Sequence, residues 1–204
     1  MINGKKNAIF LLLSGTFLLL TACQPEDASD SAARIGAEEK SRYLEKSEAL
    51  AGQLQKALGS RLMAAMKEGG PVNGIGVCQR IAQDITRMTG DEAANISISR
   101  TALRVRNPVN HADPGSRAVL AHWQEQLKAG EALGPRLTEK EGSVIVHRPI
   151  MTAAICLQCH GPTEKIDKET LAILRELYPE DQATGFAEGD LRGAFRITFA
   201  RPSI

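Results

Sequence analysis

Apolar positions along the chain change their spacing several times, and the changes mark out its elements. Ala8 to Leu20 is an apolar run softened by Ser14 and Gly15 and preceded by Lys5 and Lys6. Gln24 to Ala33 is small, polar and acidic, the composition of a flexible tether. From about Arg34 to Lys67, Leu44, Ala51, Leu54, Leu58, Leu62 and Met66 recur at spacings of three, four and seven, which predicts one long helix. Gly69-Gly70-Pro71 stops it, and a second helix starts near Asn73 with Val77, Ile81, Ile85 and Met88 as its apolar stripe. Cys78 sits beside that stripe, on the side of Ala82 and Ile85.

Ile96 to Ser99 alternates like a half-buried strand and runs into Arg100, Arg104 and Arg106. Asn107-Pro108 breaks the pattern and opens a loop to about Gly115. A third helix spans about Ser116 to Lys128, with Leu120, Trp123 and Leu127 on one face. Gly130 to Gly142 reads as turn and loop, and Val144 to Ile150 as a strand. Asp167 is placed to cap a helix carrying Leu171, Leu174 and Leu177, which Pro179 ends. After a turn at Gly189 to Gly193, Phe195, Ile197 and Phe199 alternate as a closing strand. Helices come first, short strands flank a loop-rich middle, and no βαβ rhythm or internal repeat is present. The pattern predicts a single α+β domain over residues 34–204 with a small antiparallel sheet.

The N-terminal run is too short to span a bilayer core and fits the apolar part of a signal peptide. It ends in Leu20-Thr21-Ala22-Cys23, which resembles the bacterial lipobox, so residues 1–22 are expected to be removed and Cys23 to carry lipid. Such an anchor would hold the protein on the periplasmic side of a membrane. Gln24 leans toward the outer membrane. The competing reading is an ordinary signal peptide with an incidental cysteine. Among 204 residues, Lys and Arg number 25 and Asp and Glu 24. Loss of the leader, with Lys5 and Lys6, leaves a balance near zero and no basic surplus for nucleic acid.

Four cysteines remain to be explained: Cys23, Cys78, Cys156 and Cys159. Cys156-Leu157-Gln158-Cys159-His160 has the C-x-x-C-H spacing. Two thiols three residues apart match the vinyl groups on one porphyrin edge, and the adjacent imidazole can meet the iron. With an export signal upstream, the motif predicts one covalent haem c on Cys156 and Cys159 with His160 as proximal ligand. A dithiol–disulfide pair would want a strand-to-helix junction of a βαβ unit, which is missing. A zinc site from Cys78, Cys156, Cys159 and a histidine is possible on donor type alone, but does not account for His160 directly after the second cysteine.

The second axial position is open to several side chains. Cys78 is the unassigned thiol, although a free cysteine is often a small buried hydrophobe. His111, His122 and His147, and Met63, Met66, Met88 and Met151, are the rivals. Arg100, Arg104 and Arg106 could partner haem propionates, since guanidinium groups suit carboxylates. Arg100 and Arg104 would then lie on one strand face and act together; the bland alternative is a solvated strand edge.

These residues also carry a resemblance. Arg100-Thr101 with Arg106-Asn107-Pro108-Val109-Asn110, then Pro149-Ile150, the haem motif with Gly161, Tyr178-Pro179, Ala183-Thr184-Gly185-Phe186 and Gly189-Asp190-Leu191-Arg192-Gly193-Ala194 extend over most of the chain. Together they resemble the single-haem c-type domains of unknown function that occur alone in bacteria and as sensory modules of membrane histidine kinases. The resemblance implies a PAS-like fold and an unusual His/Cys ligation in which Cys78 supplies the second ligand. The chain departs from that pattern after Asn110, where His111-Ala112-Asp113-Pro114-Gly115 replaces an acidic-aromatic continuation. No kinase segment follows, so no direct signalling output is expected. Three functions follow from these readings: a redox or small-gas sensor for NO or CO, a one-electron carrier exchanging with a redox partner, and, least supported because no acid–base pair is recognisable, a peroxidase. The chain is therefore not expected to be an enzyme.

Overall fold

The structure, a computed structural model, describes residues 35–92, 94–140 and 142–201. The predicted leader, the tether and Cys23 lie outside the described residues. The first helix, α1 (Ala37–Arg80), joins the two helices expected from the sequence across a kink at Gly69 and Gly70. Gly70 sits at φ 63, ψ −159, a region essentially restricted to glycine. Beyond the kink, a Cβ at Gly74 would meet Met66 Sδ at 2.8 Å and Leu62 Cδ1 at 3.1 Å. Glycine there lets the segment after the kink lie close against the one before it.

Before the kink, Ser47, Leu50, Ala51 and Leu54 face inward at helical spacing. They pack on a four-stranded, wholly antiparallel sheet of order β1-β4-β3-β2. Its strands are β1 (Ile96–Thr101), β2 (Arg136–Lys140), β3 (Ser143–Met151) and β4 (Leu191–Ala200). The alternation read at Ile96 and at Phe195 to Phe199 is the inward face: Ile98 pairs with Ile197, which pairs with Val146. In the same register Arg100 and Arg148 flank Phe195, so two arginines end the apolar face. Arg148 donates to Ser47 Oγ (2.8 Å) and Leu44 O (2.6 Å) and pairs with Glu48, tying α1 to β3. On the opposite face lies α3 (Pro114–Lys128), capped by Asp113 and burying Leu120 and Trp123. A short α2 (Ala82–Met88), the single turn α4 (Leu157–His160) and α5 (Lys168–Leu177), capped by Asp167, complete an α+β, PAS-like architecture. No helix among the described residues is long and apolar enough to cross a membrane.

Two elements differ from the sequence reading. Strand β2 lies in the stretch expected to be loop. It is an edge strand whose residues are exposed except the half-buried Leu137, so no alternation betrays it. The stripe of Val77, Ile81, Ile85 and Met88 is not the buried one. Gly74, Ile75, Ala82 and Thr86 are buried, while Met88 is 77 % exposed. The chain breaks between α1 and α2 at Ile81 (φ −119), so a stripe counted straight through from Val77 to Met88 does not stay on one face.

Candidate haem site

The cysteine–histidine motif forms a 3-10 turn (Ala154–Cys156) and α4, entered from the end of β3. The loop from Ala183 to Asp190 holds it. Gly185 N donates to Gly161 O (2.7 Å), Phe186 N to His160 O (2.9 Å), Thr152 N to Asp190 O (2.8 Å) and Gly189 N to Thr152 O (2.8 Å). Arg106 braces the same loop. Its Nε donates to Asp181 Oδ2 at 3.0 Å and a terminal nitrogen to Cys159 O at 2.6 Å. Asp181 Oδ1 in turn accepts from Ala183 N at 2.7 Å.

This frame decides the tautomer of His160. Its Nδ1 lies 2.6 Å from Ala183 O. A carbonyl oxygen only accepts, so Nδ1 carries the hydrogen and Nε2 keeps the lone pair. Burial first, then Arg106 and Arg192, holds the imidazole pKa well below its ordinary value, so the ring stays neutral. A neutral histidine whose second nitrogen is fixed by a carbonyl is the arrangement a metal-binding imidazole takes.

Cys78 lies at positions three after Ile75 and four before Ala82, on the inward line of α1 and α2. Yet it is exposed. Burial nevertheless pushes its thiol pKa up, against the lowering by Arg100, Arg106 and Arg192. The thiol therefore stands among three arginines on a partly desolvated surface. The thiol of Cys159 is also raised, first by burial, and further by the nearness of Cys78 and Cys156, with Arg106 opposing. The three cysteines among the described residues therefore share one electrostatic neighbourhood. Arg100 faces it from β1: its Nε is buried and has no partner among the described residues. Burial lowers its pKa, with Cys78 and Tyr178 opposing. A buried, unpartnered guanidinium nitrogen beside the thiol fits a group that brings a carboxylate, as haem does. A cavity of about 560 Å³ on the Ile155 and Gln158 side of the motif is lined by Met63, Met66 and Pro71, apolar contacts suited to a porphyrin edge.

Arg104 is not Arg100's companion on a strand face. Strand β1 ends at Thr101, and Arg104 instead donates to Gln182 O (3.1 Å) and to Thr184 O, with its guanidinium 4.2 Å over Phe186. Besides Arg100 at Cys78, Arg106 and Arg192 are the arginines whose charges reach both Cys78 and His160. The first was visible in the basic cluster; the second stands between two glycines in a turn-like stretch, where only the family block could have flagged it.

Among the rivals, His111 and His122 are exposed, and Met63 and Met88 project into solvent. Met66 packs against Gly74. His147 is 3 % exposed beneath α3, its Nε2 2.9 Å from Ser116 Oγ. Burial, then Arg196, pushes its pKa down to about 4, with Asp113 opposing. Its folded pKa is below the unfolded ~6.5, so the unfolded chain takes the proton first. Stability is then expected to fall as pH drops from ~6.5 toward 4, by on the order of 3 kcal/mol. Urea unfolding between pH 4 and 7 measures this. A His147→Gln variant should show a flatter slope, and an unchanged slope would place the acid sensitivity elsewhere.

A PAS-like sheet joined to a braced cysteine–histidine motif, with a third thiol in the same electrostatic neighbourhood, defines a candidate haem-binding domain. The chain belongs to the Tll0287-like family, whose model matches residues 29–200. Among solved structures it is similar to the crystal structure of the cyanobacterial heme-protein Tll0287, with a TM-score of 0.57 and 21% sequence identity over 83% of this chain and 99% of that one. A search of curated proteins finds no match. The family assignment agrees with the resemblance read from the Arg106–Asn110 and Gly189–Ala194 blocks.

Proposed function

We propose that this protein carries one haem c on Cys156 and Cys159, with His160 and Cys78 as axial ligands, and senses redox state or a small gas such as NO or CO. The observation that carries the reading is the placement of Cys78. It is the exposed position on an otherwise inward-facing helical line, in the same neighbourhood as Cys159 and the neutral His160. The haem would supply a one-electron couple and an iron able to bind a diatomic ligand. The protein's part is to fix His160 through Ala183 O, to present the Cys78 thiol from a helical segment beyond the Gly70 kink, and to offer Arg100 to a propionate. The lipobox at Cys23 supports a lipid-anchored protein on the periplasmic side of the membrane.

A second reading, a one-electron carrier, draws support from Met63 (54 % exposed) and Ile155 (38 % exposed) beside the motif, an apolar rim on which a redox partner could dock. Peroxidase activity has no observation in its favour. The direct test is expression with c-type maturation machinery followed by intact-mass and pyridine-haemochrome measurement. One haem mass retained after acid–acetone extraction is expected, lost in the Cys156→Ser/Cys159→Ser double variant. Haem that extracts freely from the wild type would overturn covalent attachment.

A further inference from the structure

A second cavity, of about 320 Å³, opens between α3 and the start of β4. Leu103, Leu120 and Leu127 give it an apolar floor, and Arg104, Lys128 and Arg192 give it a cationic rim. The charges are not balanced inside it. Lys128 is paired with Glu125 at 2.8 Å, which leaves Arg104 and Arg192 against the single carboxylate of Asp190, itself accepting from Ala187 N at 2.7 Å. Arg192 donates to Arg104 O at 3.0 Å and pairs with no carboxylate among the described residues. Its guanidinium and that of Arg104 both lie over the ring of Phe186, at 5.3 and 4.2 Å. Two like charges on one ring repel, and an anion between them would relieve that cost. Burial, with Arg106 second, pushes the Arg192 pKa down to about 10, the mark of a desolvated, under-compensated cation.

We propose that this cavity binds a small organic carboxylate with a short apolar body, its carboxylate on Arg192 and its body on Leu103, Leu120 and Leu127. The volume is at the small end of ligand pockets, and an apolar lining with a few convergent polar groups is their usual character. Phe186 links the site to the motif: its ring meets the His160 imidazole edge-on, with centroids 6.4 Å apart. Occupancy is therefore expected to reach His160. The site itself needs no haem; this readout alone rests on the haem reading above.

The test is titration of the haem-loaded protein with hexanoate, and with hexanol as the uncharged control, followed by calorimetry and by the visible spectrum. Saturable hexanoate binding with a small spectral shift is expected, about ten-fold or more tighter than hexanol. Arg192→Gln should weaken hexanoate binding about ten-fold. Gln124→Glu, an exposed change on the rim that places a negative charge there, should weaken it without disturbing the fold. Calorimetry on the Cys156→Ser/Cys159→Ser protein should still detect hexanoate, so a failure of the haem reading leaves this result readable. Hexanol binding as tightly as hexanoate, or no saturation by about 10 mM, would overturn the proposal. So would an Arg192→Gln variant that alters the ligand-free spectrum and leaves hexanoate affinity unchanged, because it would assign Arg192 to a haem propionate.

Discussion

Cys78→Ala in the haem-loaded protein is expected to abolish the low-spin ferric spectrum of thiolate ligation while leaving the haem covalently attached. Attachment would depend on Cys156 and Cys159, which the turn Ala154–Cys156, α4 and the Arg106 brace hold independently of α1. The thiol of Cys78 comes from a different element, on a helical segment set off by the Gly70 kink. Alanine there removes an exposed side chain, so little core packing is lost. The EPR spectrum should shift from low-spin to high-spin, and the midpoint potential should rise by on the order of 0.1 V or more, since axial ligands set haem potentials across about 0.8 V. Optical spectroscopy, EPR and a redox titration of both proteins measure these changes together. An unchanged spectrum would dismiss Cys78 and send attention to Met66, His111 and His122. Reduction under CO separates the two functions in the wild type. A CO adduct formed only on reduction supports sensing by release of Cys78, whereas an unreactive six-coordinate ferrous protein supports electron transfer.

Much of this site was legible in the sequence because its chemistry is local. Cys156, Cys159 and His160 sit within five residues, and their spacing alone orders them on one turn. Asp167 caps α5 as read, through a side-chain oxygen that accepts from Glu169 N and Thr170 N, another local effect; the Asp113 cap, which starts α3 at Pro114, was hidden in a stretch read as loop. What escaped is non-local. The line Ile75, Cys78, Ala82 and Thr86 could not be preferred over Val77, Ile81 and Ile85, because hydrophobic periodicity rewards large apolar side chains and three of these four are small or polar. Strand β2 escaped because an exposed edge carries no alternating signal. Arg104 was paired with Arg100 by assuming the strand ran on; its end at Thr101 turns Arg104 toward Phe186 instead. Arg192 comes to the thiols only through the pairing of β4 between β1 and β3, a contact set by the whole sheet.

Arg106→Ala is expected to be the most damaging single change to the frame. The side chains of Arg106 and Asp181 are only 10% and 11% exposed, and they lie 2.9 Å apart. Removing the guanidinium strands the Asp181 carboxylate in the interior and leaves Cys159 O without its donor at 2.6 Å. Breaking a buried ion pair from one side costs roughly 3–5 kcal/mol, because the remaining charge is left uncompensated. For a domain of this size that corresponds to a fall in Tm of roughly 6–20 °C. Arg106→Lys keeps the charge but not the fork, so it cannot hold Asp181 and Cys159 O in the same way, and an intermediate loss is expected. The double variant Arg106→Ala/Asp181→Ala should lose less than the sum of the two single changes, since neither partner is then stranded. Thermal unfolding of the haem-free Cys156→Ser/Cys159→Ser protein isolates the bracing role from any effect on haem. A loss below about 1 kcal/mol in that background would mean that the pair only decorates the loop. In the haem-loaded protein the same substitution frees Ala183 as well as Cys159, since Asp181 sets the Ala183 backbone whose carbonyl holds His160 Nδ1. The spectral signature of the proximal histidine should therefore broaden in step with the loss of stability, as one bracing residue serves both.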